Sequence, residues 1–321
     1  MSKPVESNAT ILDVARRAGV SRTTVSRVLN EPDRVSKDTL QRVQEAATAL
    51  NYSPNSFARG LRSGRTDVIA LLVGDISQPF HGSLAQAVVE AAEERGFGVM
   101  LYDLGHSTAR LEDVLRKLPR QGVDGMIIAT ADDISTSSIS DAVNECLDQG
   151  LAIVTGVEQF EVDGITSVLT DYREGTQLAM EALATEGLQR PALLLGDRNG
   201  PIGKRLVAGA PHATVYDVGY TFDDVESVVQ ALTHDHDALI VATLPMALGA
   251  MSALTRAGRS LPIIVCEEVP FAAQVTPAFS TSAVPPQETG REMVRLVDAI
   301  IGSIPIEPRA LHATLTRRES F

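Results

Sequence analysis

The sequence has no tryptophan, only two cysteines and no long apolar run. Cys146 and Cys266 do not form a metal-binding or redox spacing, and we expect both to be buried thiols. The longest apolar stretches, such as residues 68–73, are far shorter than the roughly 20 residues that span a bilayer. The first residues contain no apolar run and cannot act as a secretory signal. These absences predict a cytoplasmic protein that does not contact a membrane.

Charge is distributed unevenly along the chain. The net charge is −13, which as an average argues against nucleic-acid binding. Residues 1–66, however, contain eleven Lys and Arg against six Asp and Glu, while residues 67–321 contain seventeen against thirty-five. A basic head on an acidic body indicates a polyanion-binding module carried by a domain that stays off the polyanion. With 321 residues, 44% of them hydrophobic, the chain can form two or three domains.

Two short helices joined by a glycine turn are predicted early in the basic head. Residues 11–18 have helical periodicity, Gly19 supplies the turn, and Ser21 is placed to cap a second helix over 22–29. This is the helix-turn-helix arrangement. The second helix exposes four polar residues, Arg22, Thr23, Ser26 and Arg27. Arginine reads guanine edges and hydroxyls suit phosphates, although an ordinary helical hairpin with solvated arginines is the alternative.

Two more helices are predicted in the head. Ser36 is placed to cap the third, which has a core stripe between Leu40 and Leu50. Ser53 as a cap and Pro54 as first helical residue predict a short fourth helix. A helix of roughly eight residues is unstable alone in water, so this one needs a partner. The partner is either the same helix of a second subunit or DNA.

From residue 67 onward, short apolar runs alternate with amphipathic stretches. The apolar runs predict strands at 68–73, 99–101, 126–129, 152–154, 192–195, 239–241 and 263–265. The amphipathic stretches predict helices at 82–95, 109–121, 138–149, 173–186, 224–232 and 246–257. This alternation indicates parallel sheets with helices on both faces, divided into two lobes near residues 165–172. Ligands of such folds bind outside the carboxyl ends of the strands, here in the cleft between the lobes.

The basic head closely resembles the lactose-repressor (LacI/GalR) family of transcriptional regulators. The resemblance is carried by the run from Thr10 to Asn30, by Val35-Ser36, and by the runs from Leu50 to Asn55 and from Ala58 to Leu61. The acidic body resembles the same family more loosely, and also the periplasmic sugar-binding proteins. The implied fold is an N-terminal all-α helix-turn-helix domain followed by a two-lobed α/β domain of the periplasmic-binding-protein type. The implied limits are 1–52 for the helix-turn-helix domain, 53–64 for a hinge helix, 65–168 with 284–308 for the N-terminal lobe, and 169–283 with 309–321 for the C-terminal lobe.

The resemblance implies a sequence-specific repressor, modulated by a small-molecule effector, that acts as a homodimer on a near-palindromic double-stranded operator. The implied major-groove residues are Arg22, Thr23 and Arg27. The implied phosphate contacts are Thr10, Ser21, Thr24 and Asn30. In the hinge, the implied DNA contacts are Asn55, Ala58, Arg59 and Leu61. Leu61 is implied to be a wedge that unstacks a central base step, with packing inside the hinge as the alternative.

The effector contacts are implied by weaker motifs: Phe80 and His81 in the first-strand loop, Arg198, Arg205 and Glu268. A guanidinium in a cleft suits a carboxylate, a phosphate or a sugar diol. Leu244 stands where most family members have an aspartate that binds hydroxyls, and Glu267-Glu268 replaces another acidic pair. We therefore expect free sugars to bind weakly and an anionic ligand to bind better. The alternative is that Glu267 or Glu268 replaces the missing carboxylate.

Other chemistries find little support in the sequence. The run from His234 to Asp237 could suggest a metal cluster, but it falls in a polar turn where a solvated loop is the better interpretation. A Gly-x-Ser-x-Gly elbow is not present in the sequence. We therefore expect no cofactor, no metal site and no enzymatic activity. An enzyme or a simple solute-binding protein remains the competing class, but neither needs the reader helix that begins after Ser21.

Overall fold

A computed structural model describes residues 9–30, 34–50, 52, 65–130, 132, 136–156, 162–219, 221–232, 235–307 and 309–321. The chain divides into two compact units, Met1–Thr66 and Asp67–Phe321. The predicted hinge helix over 53–64, with Asn55, Ala58, Arg59 and Leu61, lies outside the described residues.

The first unit contains α1 (Ile11–Ala18), α2 (Arg22–Asn30) and α3 (Lys37–Ala49). Their apolar stripes face one another and form a small core that includes Val14, Val25 and Val43. Gly19 ends α1 in the left-handed conformation, with φ 65°, which glycine adopts without strain. The helix-turn-helix predicted from the sequence is therefore confirmed.

The second unit begins with a five-stranded parallel sheet of order β2-β1-β3-β4-β5. Its strands are β1 (Val68–Val73), β2 (Gly98–Asp103), β3 (Gly125–Ala129), β4 (Ala152–Thr155) and β5 (Ile165–Ser167). The helices that connect them are α4 (Pro79–Glu93), α5 (Thr108–Lys117) and α6 (Ser137–Asp148). Every residue of β3 and β4 is buried, as expected for central strands covered by helices on both faces.

A second sheet has the order β13-β11-β10-β9-β7-β8, with only β13 antiparallel to its neighbour among the described strands. Its strands are β7 (Pro191–Leu195), β8 (Thr214–Asp217), β9 (Ala238–Val241), β10 (Ile263–Val265), β11 (Ser280–Ala283) and β13 (Thr314–Thr316). The helices along this part are α7 (Tyr172–Thr185), α8 (Pro201–Gly209), α9 (Phe222–Leu232) and α10 (Leu244–Arg256). Short 3-10 turns occur at Leu118–Arg120 and Pro270–Ala273.

The chain crosses between the two sheets three times. It leaves the first sheet after β5, returns after β11 to form α11 (Pro286–Ile301), and leaves again before β13. Two of the crossings pair with each other, because β6 (Leu169–Thr170) and β12 (Ala310–Leu311) form a short parallel ladder. Although α11 follows β11 in the chain, it packs on α4, and its Val297 contacts the position of Gly125 in β3. Both lobes are therefore completed by distant parts of the sequence.

The fold class predicted from the sequence is confirmed: a helical head precedes a two-lobed α/β unit. The elements that were not predicted include α8, α11 and the strands β5, β6 and β11 to β13. The lobe limits given above stay predictions. Among the described residues, no helix is both long enough and apolar enough to cross a membrane.

Candidate functional site

One face of α2 is polar and exposed. Val25 and Val28 are buried against α1 and α3, and this orientation leaves the side chains of Arg22, Thr23 and Arg27 exposed to solvent. These are the three residues predicted to enter the major groove. The side chain of Asn30, at the end of the helix, is outside what the structure describes.

The predicted phosphate contacts Thr10, Ser21 and Thr24 lie at the amino termini of α1 and α2. The Oγ of Ser21 accepts the N–H of Thr24 at 3.0 Å and lies 2.8 Å from the Thr24 hydroxyl. Thr10 and Asp13 form a reciprocal cap, and the hydrogen bond from Thr10 lowers the pKa of the Asp13 carboxyl. Helix amino termini attract anions because their N–H groups and dipole point outward. The hydroxyls thus have a structural role as caps as well as a predicted one at phosphates.

A cavity with an empty volume of about 1180 Å³, including its open mouth, lies in the second unit at the carboxyl ends of strands from both sheets. Thr130 follows β3 and Gly156 follows β4, while Ala242 follows β9 and Cys266 follows β10. Its apolar lining comes from Phe80, Leu84, Tyr172, Ile202, Leu206 and Met293. This is the position in which parallel α/β folds bind ligands.

Glu267 is the principal charged group of this cavity. Its Oε2 accepts the N–H of Leu244, the first residue of α10, at 2.8 Å. Burial raises the pKa of Glu267 to about 7, and the hydrogen bond from Leu244 opposes that rise. Asp171 and Asp197 also line the cavity, whereas none of its described lining residues is a lysine or an arginine. The described lining therefore supplies carboxylate acceptors without a lysine or arginine beside them.

Two hydroxyl groups in the cavity lining have no hydrogen-bond partner among the described residues. They are the Oγ1 atoms of Thr170, on β6, and Thr243, which precedes α10. Both atoms are buried, and Thr170 as a whole is only 9% exposed. Because buried hydroxyls are normally paired, these two are suited to bond a polar group of a ligand.

Two histidines stand where the loop after β1 meets the cavity. The Nδ1 of His81 lies 2.8 Å from the carbonyl oxygen of Asp75, and burial lowers the pKa of His81, which favours its neutral form. The Nδ1 of His106 lies 3.0 Å from Asp132, and its Nε2 lies 3.1 Å from the amide nitrogen of Gln78. Phe80 and His81, both predicted effector contacts, line the cavity.

The other predicted effector contacts lie elsewhere, and two of them require correction. The guanidinium of Arg198 bonds the Asp217 carboxylate at 2.5 Å and the Val215 carbonyl at 2.8 Å, which ties it to β8 instead of to the cavity. Glu268 is paired with Arg318 at 2.8 Å and bonds the Thr281 hydroxyl. Since consecutive residues of an extended segment point to opposite sides, Glu267 faces the cavity and Glu268 does not.

Arg205 lies half-buried on α8, near Tyr172. Burial raises the pKa of the Tyr172 phenol to about 12, and the positive charge of Arg205 opposes that rise. It is not among the described residues that line the cavity. Thr170, Tyr172 and Thr243 are lining residues that the sequence did not reveal. Thr243 lies just beyond the predicted strand 239–241, whereas Thr170 and Tyr172 lie in the stretch 165–172 that was predicted only to divide the two lobes.

The His234 to Asp237 run was also misinterpreted in part. His236 is buried, with its Nε2 3.0 Å from the Tyr216 hydroxyl and its Nδ1 3.1 Å from the Arg190 carbonyl oxygen. Asp237 accepts the N–H groups of Gln189 and Arg190. The described part of this run is thus a structural connection between β9 and the segment before β7, not a solvated loop.

Models of known families match almost the whole chain. "Bacterial regulatory proteins, lacI family" matches residues 10–55, and "Periplasmic binding proteins and sugar binding domain of LacI family" matches residues 66–229. A third model, "Periplasmic binding protein-like domain", matches residues 180–321. The model that matches residues 66–229 spans half of the chain.

The chain belongs to the LacI family.

This LacI-family chain is a DNA-binding transcriptional regulator with a periplasmic-binding-protein-like effector domain. It is 31% identical to the transcriptional regulator CelR of Thermobifida fusca, over 90% of this chain and 91% of that one. It is 29% identical to the ribose operon repressor of Halalkalibacterium halodurans, over 93% and 92% of the two chains. Among solved structures, the lac repressor dimer bound to operator and the anti-inducer ONPF has a TM-score of 0.82 at 22% identity, covering 98% of this chain and 99% of that one. The complex of CelR with cellobiose has a TM-score of 0.67 at 27% identity, covering 98% and 100%.

Proposed function

We propose that this regulator is a cytoplasmic repressor that binds a near-palindromic operator as a homodimer and whose affinity for DNA is set by a neutral, hydroxyl-bearing effector. The observation that carries the effector part is the cavity at the carboxyl ends of both sheets, lined by Glu267 and by two unpaired threonine hydroxyls. The residues described contribute no catalytic arrangement to this proposal, and we assign the protein no enzymatic activity.

On the DNA side, the proposed readers are Arg22, Thr23 and Arg27, the exposed residues of α2. One recognition helix covers only a few base pairs, so a specific site requires two of them, and a two-fold symmetric pair reads an inverted repeat. The lac repressor relative is a dimer bound to operator, which supports the same assembly here. The hinge residues Asn55, Ala58, Arg59 and Leu61 keep their proposed roles as DNA contacts on the strength of the sequence alone.

On the effector side, the lining favours the alternative in which a glutamate replaces the missing carboxylate. An anionic ligand would meet Glu267, Asp171 and Asp197, and none of the described lining residues is a lysine or arginine that could compensate. A neutral ligand with several hydroxyls can donate to Glu267 and exchange hydrogen bonds with Thr170 and Thr243. CelR bound to cellobiose and the ribose operon repressors support a saccharide as this ligand. By binding both lobes at once, such a ligand favours one arrangement of the lobes over another.

The DNA part is tested by selecting binding sites from random duplexes with the full chain. We expect inverted repeats. Arg22→Ala should cost about 1–3 kcal/mol of binding free energy and relax one position in each half-site, because arginine contacts to guanine are base-specific. Arg42→Ala is the matched control, since it removes one exposed charge of α3, where Arg42 pairs with Asp38, without altering α2. Recovery of unrepeated sites, or equal effects of the two variants, would contradict the proposal.

The effector part is tested by calorimetry with ribose, cellobiose and ribose 5-phosphate. We expect one of the neutral sugars to bind, and Thr170→Val to weaken it about tenfold because one hydrogen bond is lost. Thr281→Val, which alters a hydroxyl bonded to Glu268 outside the cavity, is the control. Tighter binding of the phosphorylated sugar than of both neutral sugars would contradict the assignment.

A further inference from the structure

A second cavity lies at the opposite end of β10 from the effector cavity. Ile263, the first residue of β10, lines the second cavity, while Cys266 and Glu267, just beyond its last residue, line the effector cavity. The second cavity has an empty volume of about 1080 Å³, including its open mouth. Its walls combine apolar and polar side chains. The larger apolar ones are Met251, Leu254, Leu261, Pro262, Phe279 and Phe321, and the polar ones are Thr255, Arg259, Ser260, Glu319 and Ser320.

Arg259 brings an unpaired charge to this cavity. Its Nη1 atom is buried, and the guanidinium makes no hydrogen bond or ion pair with any described residue. Other arginines whose side chains are partly shielded from solvent have carboxylate partners. Arg318, at 18% side-chain exposure, pairs with Glu268 at 2.8 Å, and Arg95, at 30%, lies 3.6 Å from Asp298. A guanidinium nitrogen that is removed from water without an acceptor destabilises the folded protein.

The polar side chains near Arg259 make hydrogen bonds to other groups. The Oε2 of Glu319 accepts the N–H of Ala278 at 2.9 Å. Ser320 donates its hydroxyl to the Ile263 carbonyl at 2.6 Å, and Thr255 donates its hydroxyl to the Met251 carbonyl at 2.8 Å. None of these three side chains bonds Arg259 in the described structure, and its buried Nη1 atom still has unused hydrogen-bonding capacity.

We propose that this cavity binds a small carboxylic acid with an apolar body, whose carboxylate pairs with Arg259. The guanidinium is a planar fork that matches a carboxylate in a bidentate geometry. Met251, Leu254 and Phe279 supply the apolar surface against which an aromatic or branched aliphatic group packs. The site is distinct from the effector cavity and does not depend on what that cavity binds.

The unpaired charge is tested without a ligand by thermal unfolding of the full chain. Arg259→Met removes the charge and keeps an apolar side chain of similar length, so the melting temperature should rise. Arg318→Met is the matched control, in which the loss of a paired arginine strands Glu268 and should lower the melting temperature. A lower melting temperature for Arg259→Met would overturn the proposal.

Pairing between Arg259 and Glu319 in solution is the competing arrangement, and a double-mutant cycle detects it. We expect the effects of Arg259→Met and Glu319→Gln on the melting temperature to be additive. If Glu319→Gln abolishes the effect of Arg259→Met, Glu319 is the partner and the proposal fails.

The ligand class is tested with benzoate, 3-phenylpropionate, cyclohexanecarboxylate and hexanoate, each beside its neutral amide, with acetate and inorganic phosphate as anions that lack an apolar body. At millimolar concentration, at least one of the four acids should stabilise the wild type while its amide does not. Arg259→Met should weaken that acid about tenfold or more, and Thr170→Val should leave its binding unchanged. Failure of all four acids, equal stabilisation by acid and amide, or equal stabilisation by acetate or phosphate would each overturn the proposal.

Discussion

A single buried carboxyl group gives this regulator a dependence of stability on pH. The pKa of Glu267 is raised to about 7, whereas an unfolded glutamate titrates near 4.3. Below both values the group is protonated in both states and costs nothing. As the pH rises through this interval the unfolded chain ionises first, so stability falls with increasing pH, by roughly 4 kcal/mol in total.

Replacing that carboxyl should therefore remove the pH dependence it causes. Glu267→Gln keeps an oxygen that accepts the Leu244 N–H. We expect the free energy of unfolding of the variant, minus that of the wild type, to increase from pH 5 to pH 8. Urea titrations followed by far-ultraviolet circular dichroism measure it, because the chain has no tryptophan to report by fluorescence. Glu93→Gln, at an exposed position of α4, is the control for titration of the surface. A difference that does not vary with pH would show that Glu267 is ionised throughout.

The sequence predicted the exposed arginines of α2 but not which of two adjacent glutamates faces the effector cavity. The α2 arginines were predicted well because their periodicity places them opposite Val25 and Val28, and the burial of those two valines decides the exposed face. The choice between Glu267 and Glu268 could not be made from the sequence. It depends on which side of the chain faces Arg318, a residue that approaches only because β11 and β13 bring the end of the chain alongside β10.

Among the helices, α10 packs on α9 so closely that a side chain cannot be inserted at one point of contact. A Cβ atom at Gly249 would lie 2.4 Å from the backbone oxygen of Phe222. Gly249→Ala should thus destabilise the second unit, by about 1–3 kcal/mol, because the two helices must separate. Gly82→Ala is the matched control, since the nearest atom to its Cβ is 4.0 Å away. That change should be neutral or stabilise α4 by roughly 0.5–1 kcal/mol.

The test compares the melting temperature of each variant with that of the wild type, measured on the full chain. A lower value for Gly249→Ala with an unchanged or higher value for Gly82→Ala is the expected result. Equal melting temperatures for the two variants would mean that α9 and α10 are packed more loosely than described.

The strands that were predicted are those with apolar side chains on both faces. Runs such as 68–73 and 263–265 are central strands and coincide with β1 and β10. The strand β11 was not predicted because its residues, Ser280 to Ala283, are mostly polar. Their burial is made possible by long-range bonds, such as that of the Ser282 hydroxyl to the Gly175 carbonyl at 2.6 Å. These two residues are 107 positions apart in the chain, so no local sequence pattern predicts the bond.

Taken as a whole, the molecule is a strongly acidic protein that must bind an acidic polymer. Residues 1–66 supply its basic surplus, so we expect operator binding to depend on counterion release at those residues. A dimer with six or more phosphate contacts should lose about 10³-fold or more in affinity between roughly 50 and 200 mM salt. Fluorescence anisotropy with an operator duplex measures this, and a scrambled duplex should show a similar slope at lower affinity. A flat salt dependence would rule out the basic head as the DNA-binding surface.

The position of α11 has a consequence for how the protein is made. This helix covers β3 and β4 of the first sheet, where Val297 meets Gly125 and Met293 meets Gly156, yet it is synthesised after the entire second sheet except β13. A nascent chain therefore lacks the helix that covers one apolar face of β3 and β4 until residue 301 has left the ribosome. We expect a chain stopped after residue 285 to aggregate or be degraded, although it contains every strand of the first sheet. Neither lobe can therefore complete its fold until the end of translation.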